Sequence, residues 1–138
     1  MRALVLDIKI LADMGMAVLV WLVQLVIYPA FLYIQPENFV FWHARYTRRV
    51  SYVVLPLMLT QLVTTGYLTA TRPSPYWAAQ SLVVVALWAL TFLKAVPLHE
   101  QLGTASDPFP VVRNLVRANW PRTGLWTLLL VMGLWVWL

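Results

Sequence analysis

Two histidines and one arginine are the side chains of this 138-residue sequence whose types and positions could support chemistry. His43 and His99 are its only histidines, and imidazole can accept a proton near neutral pH or ligate haem iron and other transition metals. Arg122 stands at the beginning of an apolar run, with Asn119 one helical turn before it. Because ionisable groups in apolar surroundings are costly and therefore commonly functional, we predict a polar site that contains these four residues.

Three further polar residues are predicted to complete this site. Gln24 and Tyr28 are four residues apart, which places them on one face of a helix, and Tyr46 shares a helical face with His43. We predict that these three side chains and the two histidines contact a bound cofactor or substrate. The alternative for the histidines is two independent structural or hydrogen-bonding roles.

Two roles remain open for Arg122. It could form a structural ion pair, for which Glu100 is the candidate partner, or it could hold a substrate or another anion. The isolated acid Asp13 is predicted to cap a helix or to hydrogen-bond between helices rather than to transfer protons.

The ligand types available restrict the metal chemistry. The absence of cysteine removes thiolate metal sites, iron–sulfur clusters and cysteine nucleophiles. Two imidazoles can complete a six-coordinate haem, whereas a zinc site needs three or four protein ligands. The candidate cofactor is therefore haem b, and no separate metal site is predicted.

Composition excludes the common soluble classes. The chain is 62% hydrophobic and only 11% charged, and its mean hydropathy is +0.74. A soluble domain of this length could not cover its surface with so few charges, and a disordered chain would be more polar. The net charge of +5 does not indicate nucleic acid, since the basic residues fall between apolar runs. Residues 1–138 are therefore predicted to form a single transmembrane domain.

Four apolar runs are long enough to cross a bilayer, at residues 10–34, 50–70, 76–96 and 121–138. Backbone groups in hydrocarbon must be paired within each segment, so all four should be helices. The predicted fold is an all-α integral membrane four-helix bundle of two helical hairpins. Seven of the ten basic residues lie in or beside the two long connections. This bias predicts that both connections are cytoplasmic and both termini outside, in a bacterial inner membrane.

The long connections are predicted to be helical extensions of the bundle on the cytoplasmic side. Pro36 suits a first helical position, Ser106 and Asp107 can cap a helix that begins at Pro108, and Gly103 can end the third helix. Prolines at positions 29, 56, 97 and 121 all fall toward the same side. They predict an irregular cytoplasmic half and a weak internal repeat of two hairpins.

The C-terminal part of the chain resembles a known family. The segment VPLHEQL at residues 96–102, followed by NWPRT at residues 119–123 and a final apolar helix, resembles the C-terminal half of the anthrone-oxygenase-like family. Members are small four-span membrane proteins, some of which oxidise polycyclic aromatic compounds without an obvious cofactor motif. The residues that match are Pro97, Leu102, Asn119, Arg122 and Thr123. The sequence departs from the family at His99, where asparagine is usual, and at Trp120, where a histidine often precedes the arginine.

A second resemblance involves the predicted second helix. The segment FVFWHARYTRRVSYVVLPLMLTQLVTTGYL at residues 39–68 is similar to the second helix of membrane-embedded, haem-binding protoporphyrinogen oxidases. These are also four-span proteins of about this size, so the resemblance implies the same architecture. That family has a histidine in its first helix, and neither His43 nor His99 lies there. The haem chemistry therefore does not carry over by motif.

These observations lead to two functional hypotheses. In the first, the protein is a small membrane oxidoreductase or oxygenase in the lipid bilayer, and a lipophilic small molecule enters between its helices. A histidine then accepts a proton or ligates haem, and Arg122 stabilises a phenolate or a propionate. In the second, the protein is a non-catalytic accessory or pigment-binding subunit of a respiratory or photosynthetic complex. A homo-oligomer or a larger membrane complex is compatible with either hypothesis.

Overall fold

Four long helices form the whole fold. The computed structural model describes all of residues 1–138 and contains no strand. Helix α1 spans Arg2–Tyr33, α2 spans Pro36–Thr71, α3 spans Pro75–Leu102 and α4 spans Phe109–Trp137. Helices α1, α2 and α3 are long and apolar enough to cross a membrane.

Helix α4 differs from the other three in hydropathy. It contains the predicted fourth span, residues 121–138, but it is not among the helices apolar enough to cross a membrane by length and composition. Arg122 at the start of that segment and the polar or small residues after it lower its mean hydropathy. By helix length and hydropathy, the structure thus supports three of the four predicted spans.

Short local signals set the ends of the helices. Pro36 opens α2 at its first helical position. The Ser74 side chain accepts a hydrogen bond from the Trp77 backbone N–H at 3.4 Å before α3, and Asp107 Oδ1 accepts one from the Phe109 N–H at 3.1 Å before α4. Gly103 follows the last residue of α3. The predicted extensions are present as continuous parts of α2 and α4, so each runs directly into its apolar segment.

The helices pack in a ring in chain order. Helix α1 contacts α2 and α4, and α3 also contacts α2 and α4, so α1 lies opposite α3. One buried apolar cluster occupies the middle of the ring and includes Met16, Met58 and Trp126. A second lies where α1 and α3 end and α2 and α4 begin, and includes Phe31 and Phe39.

A buried ion pair lies at the other end of the ring. Lys9 and Asp13 have no exposed side-chain surface, and their Nζ and Oδ2 atoms are 2.5 Å apart. Asp13 Oδ1 also accepts a hydrogen bond from Gln61 Nε2 at 2.8 Å, and the Trp126 indole N–H donates to Gln61 Oε1 at 3.1 Å. The predicted inter-helix hydrogen-bonding role of Asp13 is confirmed.

Two π-helical turns interrupt the odd-numbered helices at equivalent places. They comprise Val23–Ile27 in α1 and Thr91–Ala95 in α3. In each, the N–H directly before a proline bonds to the carbonyl five residues earlier: Tyr28 to Val23 before Pro29, and Val96 to Thr91 before Pro97. Proline cannot donate the usual bond to the preceding turn, and in both helices the wider turn lies directly before the proline. This irregularity lies in the half where the prolines predict it.

Candidate functional site

All four helices contribute to one polar cluster at the end of the ring where the prolines lie. The structure brings together all seven residues predicted for the site. Gln24 and Tyr28 come from α1, His43 and Tyr46 from α2, His99 from α3, and Asn119 and Arg122 from α4.

The two histidines are hydrogen-bonded to each other and to a tyrosine. His43 Nε2 lies 2.9 Å from His99 Nδ1, and His99 Nε2 lies 3.0 Å from the Tyr28 hydroxyl. A neutral imidazole has one donor and one acceptor nitrogen, so this chain can run in either direction. Either the Tyr28 hydroxyl donates toward His99 and His99 toward His43, or every bond is reversed. Such a chain can pass a proton between Tyr28 and His43.

Aromatic rings hold the two imidazoles in place. His43 stacks on Phe39, one turn earlier in α2, with ring centroids 5.7 Å apart and planes at 10°. The Phe31 ring lies nearly perpendicular to that of His43, with centroids 5.9 Å apart, and the His43 and His99 rings stack at 5.1 Å. His99 follows the π turn and Pro97 in the same helix.

An amide chain connects α1 to Arg122. Gln24 Oε1 accepts a hydrogen bond from Asn119 Nδ2 at 2.9 Å, and Asn119 Oδ1 accepts one from Arg122 Nη1 at 2.8 Å. Gln24 Nε2 donates a hydrogen bond to the Val116 carbonyl at 3.2 Å. Both the oxygen and the nitrogen of the Gln24 side-chain amide are therefore hydrogen-bonded, which fixes its orientation. Asn119 therefore positions the guanidinium.

Arg122 is a buried cation without a carboxylate partner. It is 8% exposed, and the only salt bridge in the structure joins Lys9 to Asp13, so the ion pair considered between Arg122 and Glu100 does not form. The Arg122 Nε–H has no hydrogen-bond partner. The guanidinium carbon lies 5.0 Å from the centre of the Trp126 ring. An uncompensated buried charge of this kind fits an anion that binds beside it.

A cavity of about 530 Å³ adjoins these polar groups. Its lining is mostly apolar, with Met16 and Val20 from α1 and Met58 from α2. Its polar lining includes Tyr28, His43, Tyr46, His99, Asn119 and Arg122. The volume and the mixed lining are typical of a site for a lipophilic small molecule with one polar group.

The arrangement of the histidines does not fit a haem held by both of them. Bis-histidine ligation places the two imidazoles on opposite faces of the porphyrin, each with one nitrogen on the iron. In this structure the facing nitrogens of His43 and His99 bond to each other, and the other His99 nitrogen bonds to Tyr28. There is also no group of three or more His, Cys, Asp or Glu side chains that could hold a metal ion.

Some features of the site are absent from the sequence prediction. Trp126 borders the cavity beside Arg122, and its position one turn after the arginine is a signal that could have identified it. The contact between Tyr28 and His99 has none, since 71 positions separate the two residues.

Comparison with known proteins gives no relative: no family model matches the chain, and neither a curated protein nor a solved structure matches it.

Proposed function

We propose that this protein is a small membrane-embedded oxidoreductase that binds a lipophilic weak acid, such as a phenol or an enol, as its anion. The observation that carries the proposal is the buried Arg122, which has no carboxylate partner and lines the cavity. A bound phenolate oxygen beside the guanidinium would supply the missing negative charge and could accept a hydrogen bond from the unpartnered Nε–H.

The histidine chain would take the proton that such a ligand loses. The substrate hydroxyl gives its proton to the Tyr28 oxygen, and Tyr28 passes its own proton to His99 Nε2. His99 then passes its Nδ1 proton to His43 Nε2, so the charge ends on His43 as imidazolium. The phenolate stays beside Arg122, and the number of protons is unchanged.

Oxidation of this anion by molecular oxygen is the reaction that the family resemblance suggests. In an anthrone-type substrate the methylene carbon loses two hydrogens and gains one oxygen atom. The second oxygen atom leaves as water, so the substrate is oxidised and O₂ is reduced. The chain's own residues would hold the ionised tautomer and shield it from bulk water, and these roles require no metal ligand.

The membrane arrangement is part of the same proposal. All four helices would form a transmembrane bundle in a bacterial inner membrane, with the polar site at the cytoplasmic end and both termini outside. The hydropathy of α1, α2 and α3 supports this arrangement, as does the excess of basic residues near the connections that follow α1 and α3.

Binding can be tested with a lipophilic nitrophenol whose absorption band shifts when it ionises. With the protein in lipid nanodiscs, at a pH below the solution pKa of the probe, we expect the bound probe to show the phenolate band. Arg122→Gln should abolish that band, and Arg117→Gln, at an exposed position of the same helix, should leave it unchanged. Equal phenolate signals from both variants would refute the role of Arg122.

Turnover can be tested by oxygen uptake with anthrone as the probe. We expect O₂ to be consumed in equal amount to the quinone formed, with the rate lowered at least about hundredfold in Arg122→Gln. A protein that ionises the nitrophenol but consumes no oxygen above the uncatalysed rate would not be an oxygenase. Stoichiometric partner subunits in the same preparation would then favour the accessory-subunit hypothesis.

A further inference from the structure

The wall of the cavity between α2 and α3 is open over part of its length. The first part of α3, Pro75–Leu90, packs against α2, and the His43–His99 hydrogen bond joins the two helices again at the far end. Between these points the π turn Thr91–Ala95 makes its main backbone contacts with α4 and the rest of α3, and few with α2. The two helices therefore border a window that is closed at both ends.

The rim of this window is apolar and exposed. Leu55 of α2 and Phe92 of α3 both line the cavity, and they are 44% and 46% exposed. A large exposed aliphatic or aromatic side chain is costly in water but is favourable against lipid tails. Other large exposed apolar residues, Val53, Leu59 and Leu93, lie on the same two helices. In the proposed membrane arrangement the window would therefore face the lipid tails.

We propose that the ligand reaches the cavity sideways from the bilayer, through the window between α2 and α3 whose rim is formed by Leu55 and Phe92. The ligand class is then a membrane-dissolved amphiphile. Its acidic group lies at Arg122, deep in the cavity, and its apolar body extends along Met58 toward the window. The position of the acidic group rests on the proposed function, whereas the window rests on the packing of the two helices.

The lack of native cysteine allows the rim to be blocked selectively. Single Leu55→Cys and Phe92→Cys variants can be labelled with a bulky maleimide in nanodiscs. Leu93→Cys is the matched control, because Leu93 is adjacent to Phe92 and 75% exposed but does not line the cavity. The probe is 11-(dansylamino)undecanoate, a carboxylate amphiphile whose dansyl group accepts excitation energy from tryptophans such as Trp126. Unlabelled samples of each variant control for folding.

We expect the label at either rim position to slow probe association and dissociation in stopped-flow measurements, each by at least about tenfold. Because both rates fall together, the affinity should change little, and the labelled Leu93→Cys variant should match the wild type. Unchanged rates in both labelled rim variants, or a wild-type protein that gives no energy transfer, would overturn the proposal. In a third outcome, Arg122→Gln binds the probe as tightly as the wild type while the rim labels still slow probe exchange. That result would support entry through the window and refute the proposed anion site at Arg122.

Discussion

Arg122 and the Lys9–Asp13 pair deal with a buried charge in two different ways. Lys9 and Asp13 neutralise each other within one helix, and Gln61 supplies a further hydrogen bond from α2. Arg122 has amide and aromatic neighbours but no carboxylate, and one of its N–H groups is left unpaired. The ion pair is electrostatically complete, whereas no salt bridge neutralises the arginine, and under the proposed function a bound anion would do so. Stability effects are therefore expected mainly at the first site and ligand effects at the second.

Loss of the Asp13 charge should destabilise the protein strongly. In Asp13→Asn the Lys9 ammonium stays fully buried without its counterion, and we expect a loss of about 3–5 kcal/mol in the free energy of unfolding. The exposed Asp7 allows a control, since Asp7→Asn should cost far less. Adding Lys9→Met to Asp13→Asn should recover most of the loss. Denaturant titration in detergent micelles measures all three, and equal stability of Asp13→Asn and Asp7→Asn would contradict the argument.

Gly133 should be sensitive to a single added methyl group. A Cβ atom there would lie 2.6 Å from Ile10 Cδ1 and 3.2 Å from Asp13 Oδ2, beside the buried ion pair. We expect Gly133→Ala to lower the free energy of unfolding by about 1–3 kcal/mol. Gly124 lies in the same helix with open space around its Cβ position, so Gly124→Ala should be neutral or stabilising by about 0.5–1 kcal/mol. Thermal unfolding compares the two variants. If Gly133→Ala is as stable as Gly124→Ala, the prediction is wrong, and α1 moves to make room for the added methyl group.

At the scale of the elements, the two proline-linked π turns reveal a symmetry that is only partly visible in the sequence. The spacing of the prolines predicts an irregular half and two similar hairpins. The sequence does not show that the irregularity is a π turn in α1 and α3 alone. Pro56 and Pro121 lie inside continuous α-helices, so a proline by itself does not produce a π turn.

The π turn of α3 should tolerate the loss of one residue better than the α-helical part of the same helix. Deletion of Leu93 would convert the five-residue turn Thr91–Ala95 to an ordinary α-helical turn and keep His99 close to its present orientation. Deletion of the exposed Val85, within the regular part of α3, would instead rotate all following side chains by about 100°. We expect the Leu93 deletion to fold and to retain nitrophenol binding, and the Val85 deletion to lose both. Size-exclusion chromatography and the phenolate absorbance provide the two readouts, and equal damage from both deletions would contradict this explanation of the turn.

The whole molecule shows why the helices were easier to predict than the site geometry. Apolar runs, Pro36 and Gly103 act locally, so the helix bounds follow from neighbouring residues. The seven site residues could be grouped from the sequence because consecutive helices run in opposite directions. This brings the ends of α1 and α3 beside the starts of α2 and α4. The pairing of His43 with His99 depends on the rotation of α2 and α3 about their axes, which apolar packing sets over the full length of the ring. A helix that is apolar on most faces gives little sign of that rotation.

The distribution of basic residues leads to a direct test of orientation in the membrane. Pro73 and Ser106 are exposed and lie in the connections after α2 and α3. Because α3 separates these connections, the two residues lie at opposite ends of the bundle. In a chain without other cysteines, Pro73→Cys should react with a membrane-impermeant maleimide in intact bacterial cells, because its connection is predicted to be outside. Ser106→Cys should react only after the cells are permeabilised. The reverse pattern would place the cavity's polar end outside, and labelling of both in intact cells would mean that α3 does not cross the bilayer.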